Sequence, residues 1–276
     1  MAPEATAQWV EAPGRGWVQL TFFHHDTRSR FDAEGQRTDL FSDGARAVTT
    51  SAFLTGVVGL VRGADLRVQV PFHRLAFDDV AADRRSTGFG DPRIHLRVGP
   101  ALAGRRWALP VALRGGVKLA LGRFDRDAEI IPLSEGQRDW EIFAEVGRSL
   151  HPRPLYLMAW AGYRWRAFND EIDRKPGDER LAFVAAGGTV RRLAWKLATE
   201  GLWGRPPRRR LGGGAELALP LDRRRLVQVL PSLGYPAGPG MLEVGLRLPV
   251  AGRNLPAGTA IFAGYFLRVD LRRGLF

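Results

Sequence analysis

The 276-residue chain has no cysteine, which excludes a disulfide scaffold, a thiolate zinc site, an iron–sulfur cluster and a cysteine nucleophile. Histidine and methionine are scarce, at five and three. Acid is in deficit: 29 Asp and Glu stand against 41 Lys and Arg, a formal charge of +12 that would ordinarily suggest a polyanionic partner. Long apolar runs are also missing. The longest uncharged stretches are Ala47–Val61 and Leu226–Leu242. The first is short of the roughly 20 residues a spanning helix needs, and the second is broken by Pro231, Pro236 and Pro239. After Met1, the residues Ala2 to Ala7 supply neither a basic region nor an apolar one, so no signal peptide is visible. Two expectations stay open: a cytosolic protein, or a mature exported domain whose signal peptide has been removed.

What is present is alternation with a period of two. Leu66, Val68, Val70 and Phe72 interleave with Arg67, Gln69 and His73; Ile94, Leu96 and Val98 with Arg93, His95 and Arg97. From Trp107 to Leu121 one face reads Trp107, Leu109, Val111, Leu113, Gly115, Val117, Leu119 and Leu121, the other Ala108, Pro110, Ala112, Arg114, Gly116, Lys118 and Ala120. Later segments repeat the pattern, as where Leu242, Val244, Leu246 and Leu248 oppose Glu243, Gly245 and Arg247. A helix scatters such sets around its circumference, whereas a strand puts each on one side. The chain reads as all-β and as one domain, without a composition break.

Connections alternate in length. Short ones fall near Gly63-Ala64, Gly104-Arg105, His151-Pro152, Arg191-Arg192 and Asp222-Arg223; longer ones near Thr27–Gly44, Asp78–Thr87, Gly122–Gln137 and Asn169–Glu179. That regularity points to a single transmembrane antiparallel up-and-down β-barrel with short periplasmic turns and longer extracellular loops. Residues 1–15 form an N-terminal periplasmic segment and 16–276 the barrel. A soluble barrel or sandwich would show the same alternation turned inside out. Three features favour the membrane: the length of the Trp107–Leu121 ribbon, the small residues opposite the apolar face, and the aromatics Trp17, Trp107, Trp140, Trp165 and Trp203 near strand ends as an interfacial girdle. About thirteen segments alternate, and single-chain bacterial barrels have an even number of strands. Gly212–Leu221 is the weakest segment and reads as outer loop. Twelve strands are therefore expected, with fourteen as the runner-up.

The run Ser86-Thr87-Gly88-Phe89-Gly90-Asp91-Pro92-Arg93-Ile94-His95-Leu96, followed by Gly115-Gly116-Val117-Lys118-Leu119, resembles the SGxGDxxLxLR … GVKLPTG pattern of bacterial outer-membrane transporter barrels. That group includes the MetA-pathway phenol-degradation proteins. Pro132 to Glu141, Gly162 to Arg166 and Ala251 to Gly258 match further stretches, and Ala120-Leu121-Gly122 departs from the pattern where it has Pro-Thr-Gly. The closing Leu275-Phe276 is similar to the terminal aromatic that such barrels present to the barrel-assembly machinery, although Arg272-Arg273-Gly274 before it is unusually basic. The resemblance implies an outer-membrane location and a passive or selective channel, often for small aromatic or hydrophobic compounds.

With polar faces inward, the solute path is lined by Arg67, Arg93, Arg97, Arg114, Lys118, Arg164, Arg166, Lys196, Arg247 and Arg268, with the acids Glu141, Glu145, Glu200, Glu216, Glu243 and Asp270. Ten bases against six acids would concentrate anions in a narrow lumen. Arginine forks with Phe143, Trp160 and Phe168 would suit carboxylated aromatic compounds. The bland counterpart is a ladder of Arg–Glu pairs that fills and braces the barrel, giving a plugged barrel that acts on a partner through loops 28–43, 122–137 and 169–179. A third reading, an outer-membrane enzyme, lacks any serine whose spacing to a histidine singles it out; no catalytic residue, cofactor or metal is expected. His24-His25 looks like a metal pair, yet neighbours on a strand face opposite ways. His73 and His95 would form a pH-sensitive pair if their strands adjoin. The basic clusters Arg105-Arg106, Arg191-Arg192, Arg208-Arg209-Arg210, Arg223-Arg224-Arg225 and Arg272-Arg273 fall at turns around both rims. They are placed for lipid or lipopolysaccharide phosphates, not for nucleic acid, or are simply solvated. Monomer and homo-oligomer are both open.

Overall fold

The computed structural model describes residues 10–40, 44–80, 82–104, 110–125 and 130–272. Twelve antiparallel strands run up and down the chain: β1 Arg15–Thr27, β2 Arg46–Val61, β3 Ala64–Asp78, and β4 in two pieces, Asp83–Phe89 and Arg93–Val98. Next come β5 Val111–Lys118, β6 Asp139–Ser149, β7 Leu155–Arg166, β8 Glu179–Val190, β9 Leu193–Gly204, β10 Arg225–Ala237, β11 Gly240–Arg253 and β12 Ala260–Asp270. Each pairs with its neighbour in sequence, and β1 pairs with β12 from Arg15↔Asp270 to His25↔Ala260, closing the cylinder. The expected strand number, twelve, is the observed one.

The direction of the alternation is the decisive result. Val18, Leu20 and Phe22 on β1, Leu54 on β2, Ile142 on β6, Leu197 on β9 and Val244 on β11 lie exposed on the outer wall. Phe22 keeps 55% of its surface. The alternate residues are enclosed, with Asp65, Lys118, Asp139, Glu141 and Arg166 among the most buried side chains. A soluble barrel would reverse this. An apolar outer band around a charged interior is the arrangement that hydrocarbon solvates.

Most turns at one end are tight, as at Gly63, whose φ of +85° and approach to the Leu102 backbone leave no room for a Cβ; the β4–β5 connection there, 99–110, is longer and holds a 3-10 turn at Pro100–Ala103. At the other end, loops 28–45, 119–138, 167–178 and 205–224 are long. Three of them contribute to two small sheets: Ser29–Phe31 pairs with Arg37–Asp39 and Leu255–Pro256, and Arg208–Arg210 pairs with Arg174–Lys175 and Glu216–Ala218. Gly212–Leu221 indeed belongs to an outer loop.

Three expectations need correcting. The Trp107–Leu121 ribbon is not one strand: β5 spans eight residues, Val111–Lys118, because Pro110 lacks a ladder donor and Leu121 folds back onto the Leu119 carbonyl. Trp107 itself lies outside the described residues. The connection expected to be long at Asp78–Thr87 is a tight turn at 79–82, closed by Asp79, whose carboxylate accepts from Ala82 N at 3.0 Å and pairs with Arg84. Asp222-Arg223 is not a short turn but the end of loop 205–224.

The barrel wall is interrupted once. The two pieces of β4 pair with the upper and lower parts of β3, and between them lies Gly90-Asp91-Pro92, opposite Pro71. Prolines on both sides remove ladder donors, and a single bond from Gly90 N to Pro71 O (3.0 Å) spans the break. The upper piece of β4 pairs with β3 alone, and loop 119–138 covers this side: Asp91 accepts from Gly122 N at 3.1 Å and from Glu135 N at 3.4 Å.

Candidate solute path

Parity and register bring the inward charges into contact across neighbouring strands. Glu141 on β6 accepts from His95 on β4 (2.7 Å) and Arg164 on β7 (2.6 Å), with Arg93 at 3.6 Å. Further along the same face of β6, Glu145 holds Arg114 on β5 at 2.5 Å and Arg97 at 3.6 Å. Arg97 also grips Asp65 on β3 (2.6 Å), which accepts from the backbone N–H of Glu11 at 2.9 Å. Across the barrel Lys196 meets Glu243 at 2.5 Å, and Glu243 accepts from Ser232 as well. Glu200 accepts from Gln228 and has Arg247 at 3.6 Å. Arg67 is different. It lies over the Trp17 ring at 6.0 Å, and no acid is within salt-bridge reach of it among the described residues. Arg268, opposite Trp17 in the β1–β12 register, occupies the same face.

At the outer end the network tightens. Glu179, the first residue of β8, receives Arg164 (2.7 Å), Arg166 (3.3 Å) and Arg224 (2.6 Å). Lys118 sits between Asp139 (3.0 Å), Asp91 (3.4 Å) and the loop residue Glu135 (2.8 Å), which is also paired with Arg166. Burial by itself would raise the Glu135 carboxyl, but Arg166 and Lys118 outweigh it and hold the group well below the usual carboxylate range.

An aromatic and aliphatic wall runs beside these charges. Arg114 stacks over Phe143 at 4.1 Å; Phe143 meets Trp160 edge to face at 5.3 Å; Trp160 stacks on Phe183 at 5.5 Å. Met158 and Phe183 pack on Ala185, Ala198 and Leu230, a row carried inward by β7 to β10.

The sequence reading placed most of these residues on the right face and some elsewhere. Trp140, Trp165 and Trp203 do lie exposed on the outer wall near its outer end, with Trp140 and Trp165 directly paired. Trp17 does not: its parity on β1 turns it inward, against Phe266 at 5.4 Å and Arg67. Phe168 is in an outer loop under Arg210, and Glu216 is in the loop sheet paired with Arg208. Asp270 pairs with Arg15 at the turn end. His24 and His25 face opposite ways, toward Thr50 and the Gly258 carbonyl. His73 lies opposite Gly88 and His95 opposite Arg67, so the two histidines are six positions apart along β3 and form no pair. Asp65, Asp139 and Glu179 were missed. They share the parity of Arg67, Glu141 and the inward face of β8, and extending each alternation by one step would have found them. With Glu11, Asp91 and Glu135 added, the cationic excess of the interior shrinks to local patches.

No family profile matches the sequence, and no curated protein does. Solved structures do match in fold. The COG4313 outer membrane channel from Pseudomonas putida F1 superposes with a TM-score of 0.77 at 15% identity, covering 95% of this chain and 98% of that one. The fold is that of an outer-membrane barrel. The translocator domain of the autotransporter NalP from Neisseria meningitidis is a looser likeness (TM-score 0.48, 8% identity, 94% and 90% covered). So is a TodX monoaromatic hydrocarbon channel mutant (0.47, 9%, 96% and 91%). Neither of these carries any argument here. The motif resemblance to the MetA-pathway phenol-degradation proteins has no family profile behind it.

Proposed function

We propose that this barrel is an outer-membrane channel for small solutes, with a narrow lumen that favours anions, carboxylated aromatic compounds among them. The observation that carries the reading is the inverted barrel itself: an apolar outer wall around a charged interior, with Arg67 beside the Trp17 ring and no carboxylate partner for it among the described residues. A cation without a partner in a narrow lumen lowers the energy of a passing anion. Trp160 and Phe183, half-buried beside the sealed Phe143, offer stacking surface within the barrel. The fold shared with a bacterial outer membrane channel supports the location and the class.

In planar bilayers under a salt gradient, the reversal potential of the wild-type chain should show anion preference, and Arg67→Glu should shift it toward cations. A cation-selective wild type, or an Arg67→Glu variant with unchanged selectivity, would remove the anion bias. Absence of any conductance or solute binding would remove the channel. The dense ion pairing at the outer end gives a second reading its footing: a plugged barrel that works through its outer loops. In either case Arg208 and Arg209, exposed in those loops, are offered to lipopolysaccharide phosphates.

A further inference from the structure

The outer mouth holds a cavity of about 290 Å³ bordered by Phe124, Ile172, Pro207, Arg205 and Arg224, with Glu135 on its wall. That size is near the ~300 Å³ lower end of small-molecule pockets. Behind Glu135 stand Lys118 and Arg166, with side chains 2% and 1% exposed. Three other acids serve these two cations: Asp139 and Glu179 at the starts of β6 and β8, and Asp91 in the wall break, all nearly sealed from solvent. Glu135 differs from them in both respects: it comes from a loop, and 47% of its side chain is exposed. Asn169, another residue of the cavity wall, donates to the Glu135 carbonyl at 2.9 Å and sets the backbone from which the carboxylate reaches inward.

We propose that this is a carboxylate-binding site whose resident occupant is the Glu135 side chain, and that an aromatic carboxylate binds by exchanging with it. The incoming carboxylate would take Arg224, Arg166 and Lys118, and its ring would lie against Phe124 and Ile172. The electrostatics make the exchange selective. Withdrawing Glu135 alone takes one ion-pair partner from each of two enclosed cations, Lys118 and Arg166, a loss the buried environment opposes. An entering carboxylate restores those pairs, whereas a neutral aromatic of the same shape does not. The exchange makes and breaks no covalent bond. It deepens the channel reading by giving a carboxylated aromatic solute a binding site, and rests on that reading only for the passage of the solute once bound.

Titration calorimetry on the full chain in detergent, with benzoate and its neutral counterpart benzamide, tests the exchange. Glu135→Gln removes the internal competitor, so benzoate should bind about tenfold or more tightly than to the wild type. Benzamide should bind both proteins alike, and adding Arg224→Gln should abolish the gain. Glu135→Asp, which keeps the charge but shortens its reach to Arg166, should fall between, and it decides the question if the Gln variant fails to fold. Unchanged benzoate affinity in the variants, or an equal gain for benzamide, overturns the proposal. Conductance without benzoate binding would defeat this site and leave the channel standing; benzoate binding without conductance would do the reverse.

Discussion

At the scale of single residues, one enclosed carboxylate often serves several guanidinium groups. Glu179 is the extreme case, holding Arg164, Arg166 and Arg224. Removing one partner of a buried ion pair costs about 3–5 kcal/mol because the remaining charge stays enclosed. Glu179→Gln is therefore expected to destabilise the barrel by that order, read as a lower urea midpoint for the loss of heat-modifiable migration. Glu135 carries a pH signature. Its folded-state carboxyl is held below the ordinary range, so its contribution is complete above the unfolded value of about 4.3 and persists below it, vanishing only in stronger acid. Pepsin at pH 3 should accordingly leave loop 119–138 of the wild type uncut; cleavage there at that pH would show that the Glu135 pairs are already lost. Side-chain direction was legible in the sequence wherever charge and alternation agreed, as at Arg114, Glu141, Glu145 and Arg164. It failed at Trp17, where an aromatic near a strand end looks the same whether it faces lipid or lumen.

At the scale of elements, strands were easier to read than their ends. β6 follows its alternation closely, and β11 does so from Leu242 to Leu248 before a bulge opposite Val227-Gln228, whereas β5 stops well short of its apparent span. Sequence periodicity carries no information about which backbone groups find a partner, and Pro110 and the Leu121 turn decide that at the two ends of β5. The break in β4 is the clearest instance. Gly90-Asp91-Pro92 was visible as part of a motif, but its role, stopping one strand and docking loop 119–138 through two bonds to Asp91, depends on contacts across 31 and 44 residues. Asp91→Ala should free that loop without opening the rest of the barrel. Limited trypsin digestion should then cut near Arg123 while the cylinder still migrates as a folded species on unheated gels; simultaneous loss of that species would show that Asp91 supports the wall as well.

For the whole molecule, the outer wall and the interior are two solvents' worth of chemistry on one sheet. An arginine on the lipid face at mid-height costs roughly 2–4 kcal/mol. Leu54→Arg, exposed on the outside of β2 between Leu20 and Val70, should lower stability by that amount in a bilayer. A comparable stability would place Leu54 outside the hydrocarbon. The class of fold and the strand number were within reach of the sequence because a two-residue period and alternating loop lengths are global properties. The outer-end ion cluster was not, since it is assembled from loop and strand termini that only closure brings together.

Closure has one more consequence. The seam between β1 and β12 is held by the same unbroken pairing as most other joints, and Leu271 N reaches the Gly14 carbonyl at 2.8 Å just beyond it. Geometrically the cylinder has no first stave. A circularly permuted gene, with the old ends spliced and new ones cut into loop 205–224, would encode the same hoop started from a different point.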